Sequence, residues 1–262
     1  MLLSSKFSVE KLKVNIFQDS AAMGVAAADA VERTINKLLE QKSEVRIIFA
    51  AAASQLEFLD SLVKRNIDWS KVVGFHMDEY IGLDSQAPQL FGNFLREHIF
   101  DKVNFKKVHF LEAYNGDPAK ECERYSSLLT EKPIDIVCMG IGENGHLAFN
   151  DPHVADFNDP YLVKVVEMDE ASRQQQVNDG AFKAFEEVPT TALTLTIPAL
   201  LSAEYKFVIV PGELKANAVN RTLNGEITTE CPASILRHTQ DAELFLDGDS
   251  SGLLKQTDIK SA

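Results

Sequence analysis

Short apolar runs rich in β-branched residues recur along the chain and alternate with stretches of helical spacing, and this alternation constrains the fold more than any single motif. The runs fall at 13–17, 45–49, 72–76, 108–111, 134–139, 161–168, 192–197, 205–210 and 243–246. Helical stretches lie between them. Asp19 or Ser20 can cap one that carries Met23, Ala27, Val31, Ile35 and Leu38. Ser54-x-x-Glu57 has the form of a capping box opening a helix through Asn66, and Asp117-Pro118 opens another that runs to Thr130. Further helices are expected at 89–100, at 170–179, at 232–238 and between Pro211 and Gly225. The pattern predicts an α/β fold, a three-layer α/β/α sandwich around a mainly parallel, Rossmann-like sheet. At 262 residues, 45% of them hydrophobic, the chain suits a single domain spanning 1–262.

The run 134–139 ends abruptly in Gly140-Ile141-Gly142-Glu143-Asn144-Gly145-His146, with Asn150, Asp151 and Pro152 close behind. Glycines let a backbone turn tightly or approach a ligand, and Pro152 blocks an ordinary helix continuation. An imidazole here stands within reach of a carboxylate and two amides, which reads as an active-site loop. The same letters match the dinucleotide fingerprint Gly140-x-Gly142-x-x-Gly145. That fingerprint needs a helix after its third glycine to carry the pyrophosphate, and 146–152 offers little room for one.

Three other strand ends carry chemistry. Asp78 and Glu79 follow the run 72–76, where open α/β sheets place their ligands, and adjacent carboxyls raise one another's proton affinity, which improves a general base. After 45–49, Ala51, Ala52, Ala53 and Ser54 lead into a helix start whose unpaired amides would admit an anion such as phosphate. Lys215 falls in the first turn of the helix after 205–210, against the helix dipole, so a bound anion explains it better than helix stability does. A solvated strand end, a tight packing turn and an ordinary exposed lysine are the respective alternatives.

Lys plus Arg number 26 against 39 Asp plus Glu, a formal charge of −13. Such a balance repels nucleic acid and anionic membrane, so an anionic substrate needs a local cluster of donors. Cys122, Cys138 and Cys231 have neither Cys-x-x-Cys spacing nor disulfide density, which points to a reduced, cytoplasmic compartment. No apolar run approaches membrane-spanning length, and the first residues lack leader features. Zinc-type His and Cys spacing is missing, so neither a metal nor a cofactor is expected; His146 with His153 is only a weak pair. Interface patches are not legible in letters, and a homo-oligomer stays open.

With Met77-Asp78-Glu79-Tyr80-Ile81-Gly82-Leu83 upstream and Gly140 to Pro152 downstream, the chain resembles the glucosamine-6-phosphate deaminase (isomerase) family, from the first strand to about Leu246. The related 6-phosphogluconolactonases share the fold and a similar glycine–histidine loop, but the Asp-Glu-Tyr segment speaks for the deaminase branch. The resemblance implies conversion of an amino-sugar phosphate to a ketose phosphate with release of ammonia, without a cofactor. Asp78 then matches the base that moves a proton between carbon 2 and carbon 1, and His146 the acid/base that opens the pyranose ring. Asn144 and Asp151 match the neighbours that orient His146. Lys215 and 51–54 match the phosphate-binding lysine and loop, while Gly142 and Arg173 match substrate-binding positions. Three departures stand out: an alanine-rich phosphate loop, Asp151 for the usual glutamate, and no arginine at the expected place on the helix after Asp169. A lactone hydrolase and a non-catalytic sugar-phosphate sensor are the alternative functions.

Overall fold

The computed structural model describes residues 3–114 and 116–255; the sequence also leads one to expect a polar tail after 243–246, and its last part, 256–262, lies outside the described residues. The chain opens with an antiparallel hairpin of β1 (Leu3–Val9) and β2 (Leu12–Phe17). Only β2 follows from the apolar pattern. Of the seven residues in β1, Phe7 alone is fully buried, as suits a strand at a sheet edge with one face in water.

Next come α1 (Ser20–Leu39), β3 (Val45–Phe49), α2 (Leu56–Leu62), β4 (Val72–His76), β5 (Asp78–Tyr80), α3 (Phe91–Leu95), β6 (Lys107–His109), α4 (Pro118–Thr130) and β7 (Ile136–Met139). The second half adds β8 (Val163–Glu167), α5 (Glu170–Asn178), β9 (Thr191–Leu195), α6 (Ile197–Leu201), β10 (Tyr205–Val210), α7 (Ala216–Asn224) and β11 (Ala242–Leu246). Asp19 and Asp117 cap α1 and α4 by accepting from the amides of Ala22 and Ala119. No helix of the described residues is long and apolar enough to cross a membrane.

Eight strands form one sheet in the order β1-β2-β11-β10-β7-β3-β4-β6, with every neighbouring pair parallel except β1 and β2. Successive side chains point to opposite faces, and both faces are covered. Ile47 packs with Met23 and Val31 of α1 and Leu59 of α2, whereas Ile48 shares a cluster with Tyr125 and Leu129 of α4 and Val219 of α7. The three-layer sandwich is thus the observed architecture. Strand order reverses between β3 and β7, because β3 leads to β4 on one side while β7 neighbours β10 on the other. Ligands of open α/β sheets bind at the carboxyl ends of the strands at such a reversal.

The structure differs from expectation in four further places. Asp78 and Glu79 do not merely trail the end of β4 but belong to a strand of their own, β5, which pairs with β9 in a separate antiparallel sheet that also holds β8. Three residues are too few to show a period. Residues 192–197 do not stay extended to the end, since Thr196 caps α6. The helix expected over 89–100 begins at Phe91 and widens into a π turn over 96–100. The capping box fails: Ala52 takes the extended cap conformation (φ −159°), Ser54 is already inside a 3-10 turn, and α2 ends at Leu62 rather than Asn66.

Candidate active site

At the reversal between β3 and β7 lies a cleft open to solvent. Four strand ends build it. Ala51, Ala52 and Ser54 follow β3, Asp78 follows β4, Gly142 and His146 follow β7, and Lys215 follows β10. Gln175 and Gln176 of α5 close one side. Ala53 turns instead into an adjoining cavity that includes Phe94 and Asp179.

The backbone at Asp78 is pinned by His76, whose Nδ1 donates to the Asp78 carbonyl at 2.9 Å while its Nε2 accepts from the Leu111 amide at 2.9 Å. Burial lowers the His76 pKa to about 4, so the ring is neutral and can play both parts. Strand alternation then sends Asp78 and Glu79 to opposite sides. Glu79 accepts from the amides of Tyr80 (2.9 Å), Phe91 (3.0 Å) and Gly92 (2.9 Å), which makes it a structural anchor for the start of α3. Its pKa is pushed up to about 7 by burial, against those three donors. Replacing Glu79 with glutamine puts an NH2 against the Gly92 amide and is expected to cost about 1–3 kcal/mol, read as a lower urea midpoint. An unchanged midpoint would show that Gly92 does not depend on this acceptor.

Asp78 is buried in the wall of the cleft, 7% exposed, and no described residue donates to its carboxyl oxygens. Burial first, and the Glu79 charge second, push its pKa well above the usual carboxylate range. Desolvation thus outweighs the neighbouring acid, the cause that the adjacent pair suggests from sequence.

His146 is oriented through one edge of its ring. Nδ1 lies 3.0 Å from Asp151 Oδ1, and Asn144 donates to that same oxygen at 2.9 Å while its own Oδ1 accepts from the His146 amide at 3.0 Å. Burial would raise the Asp151 pKa, but His146, Asn144 and Ser172 outweigh it and hold the carboxyl well below its usual range. Asn144 and Asp151 stand behind the imidazole rather than in the cleft. The ring rests on Gly142, where a Cβ would sit 2.2 Å from Nε2. No helix follows Gly145, so the dinucleotide fingerprint lacks its phosphate-binding element.

Strand β9 ties the two titratable groups together. Asp78 pairs with Thr194, whose hydroxyl accepts from the Phe149 amide at 3.0 Å, and Asn150 donates to the Leu195 carbonyl at 2.8 Å. Both groups therefore hang from one ribbon.

Lys215 sits at the amino end of α7, after Gly212 in a left-handed conformation (φ 93°), and is 6% exposed. Burial lowers its pKa against the pull of Asp179 and Glu143, and its ammonium makes no hydrogen bond or ion pair with the described residues. The first amides of the 3-10 turn at 53–55 likewise have no intrahelical acceptor.

Arg173 does not reach the cleft. Its guanidinium donates to the carbonyls of Phe185 (2.9 Å) and Val188 (3.0 Å) and lies over the Phe185 ring. Ser172, Gln175 and Gln176 occupy the inward face of α5 at i, i+3 and i+4, and Arg173 is turned about 100° from it. Those three inward residues escaped sequence reasoning, because serine and glutamine on a polar helix look like surface; spacing was the only signal. Among the described residues no three potential metal ligands cluster.

A buried carboxyl and a buried ammonium, each without a side-chain partner among the described residues, share one cleft with an oriented imidazole, which is the equipment for acid–base chemistry on a small anion. The chain belongs to the family described as glucosamine-6-phosphate isomerases/6-phosphogluconolactonase, whose model matches residues 18–246. A curated relative from Bacillus cereus (strain B4264), named glucosamine-6-phosphate deaminase, is 32% identical over 229 residues, covering 87% of this chain and 86% of its own. A solved structure of a monomeric glucosamine-6-phosphate deaminase matches with a TM-score of 0.84 at 26% identity, covering 92% of this chain and 99% of that one. The 6-phosphogluconolactonase of Thermotoga maritima matches with a TM-score of 0.72 at 20% identity, over 90% of this chain and 99% of its own, which shows a shared fold alone.

Proposed function

We propose that the protein is a single-domain glucosamine-6-phosphate deaminase, converting glucosamine 6-phosphate and water to fructose 6-phosphate and ammonia. The observation that carries this reading is that Asp78, His146 and Lys215 line one cleft. His146 takes the proton of the C1 hydroxyl and delivers a proton to the ring oxygen, opening the pyranose. Asp78 then removes the proton from C2 and returns it to C1, while a proton of the C2 ammonium passes to O1. The resulting C2 imine is hydrolysed by water, leaving the ketone and free ammonia. Lys215 and the amides of 51–54 hold the phosphoryl group, with no arginine to help them. In the cell such an activity belongs to N-acetylglucosamine catabolism in the cytoplasm, after a reaction that frees the amino group.

The direct test is ammonia and fructose 6-phosphate formation from glucosamine 6-phosphate, run beside hydrolysis of 6-phosphogluconolactone. Turnover of the lactone alone would replace the proposal. Lys215→Met is expected to raise KM for the sugar phosphate about 10- to 100-fold with a smaller effect on kcat, the equivalent of one charge-assisted hydrogen bond. An unshifted KM would place the phosphoryl group elsewhere.

A further inference from the structure

Ser172 lies where three hydrogen-bonding groups meet. It is 1% exposed, in the first turn of α5, with Oγ 2.8 Å from His146 Nδ1 and 2.5 Å from Asp151 Oδ1. Asp151 Oδ2 also accepts from the Asp169 amide at 3.3 Å, so the same carboxylate anchors the start of that helix.

Bonding capacities leave one arrangement. An ionised carboxylate only accepts, so the single hydroxyl proton of Ser172 goes to Asp151. The serine lone pair that faces the imidazole can then only accept, and Asp151 Oδ1 on the same side can only accept as well. A bare Nδ1 would confront two acceptors at once. With Nδ1 carrying the proton, every group in the cluster is satisfied, and the neutral ring must be bare at Nε2.

We infer that Ser172 is a positioning residue that locks neutral His146 as its Nδ1–H tautomer and so presents Nε2 to the cleft as a proton acceptor. The inference rests on His146 as the group that opens the sugar ring. That step begins with removal of the C1 hydroxyl proton, so the nitrogen facing the sugar has to start empty. Asp151, 3.0 Å from Nδ1, biases the ring the same way. Loss of the serine therefore weakens the lock without abolishing it.

The experiment is a 15N spectrum of the imidazole nitrogens, without substrate and at a pH where the ring is neutral, for wild type, Ser172→Ala and Ser172→Thr, together with kcat and KM. Wild type and the threonine variant are expected to show protonated Nδ1, and the alanine variant a mixture of tautomers. Its kcat should fall about 3- to 10-fold, the equivalent of one neutral hydrogen bond, with KM unchanged and the threonine variant restoring it. A wild-type ring spectrum and wild-type kcat in folded Ser172→Ala would overturn the inference. If Ser172→Ala does not fold, Ser172→Cys, with its weaker donor, carries the same comparison. Because the spectrum needs no substrate, an error in the deaminase reading shows up separately, as a wild-type protein that releases no ammonia.

Discussion

Asp78→Asn is expected to lower kcat for ammonia release about 10²- to 10⁴-fold, the range for loss of a positioned general base, while leaving KM nearly unchanged. The amide keeps the size of the carboxyl and sits on a backbone pinned by His76, so the cleft survives and only proton transfer is lost. The pH profile of wild type follows from the raised pKa of Asp78. The base must be ionised, so the acid limb of kcat/KM should lie well above the usual carboxylate range, with activity rising as pH rises through it. Stability should move in the opposite sense. A carboxyl whose folded pKa exceeds its unfolded value of about 3.9 contributes fully below that value and loses the contribution as pH rises through the folded pKa. Asparagine cannot ionise, so the variant should become more stable than wild type above about pH 4, by a margin that widens towards neutrality. Retained turnover in a folded Asp78→Asn protein would remove Asp78 from the chemistry.

Gly142→Ala should lower kcat by about 10²-fold or more, by displacing the imidazole. Its Cβ would stand 2.2 Å from His146 Nε2 and Cε1 and 2.4 Å from Cδ2, so the ring must leave its place against Asp151 and Ser172. Gly142 is not held by a positive φ; its requirement is purely steric. Overpacking adds about 1–3 kcal/mol of lost stability. The decisive measurement is a double-mutant cycle: once His146 is alanine, adding Gly142→Ala should change kcat little, because both substitutions remove the same imidazole. Additive losses would mean that Gly142 acts by another route.

Much of this site was legible because parallel α/β folds put chemistry at strand ends, and 72–76, 134–139 and 205–210 ended in Asp78, His146 and Lys215. The layered fold was legible for the same reason, since two-sided burial writes continuous apolar runs such as Val45–Phe49. Two kinds of feature were hidden. Short or half-wet strands, β5 with three residues and β1 with mostly exposed ones, carry too little pattern to detect. Side-chain aim was hidden too: Arg173 and Ser172 are neighbours, yet one seeks carbonyls at 185 and 188 while the other completes the histidine cluster. One residue of helix rotation decides that, and a motif does not record it.

The ribbon through β9 acts as a gauge between Asp78 and His146, holding the Asp78 strand along one edge and the 149–150 corner through its own side chain and carbonyl. Spacing between Asp78 and His146 thereby depends on β9, which does not pair with the outer hairpin at the far rim of the large sheet. Damage at that rim should change how long the molecule survives, whereas a slip in Thr194 or Leu195 should change what it can do.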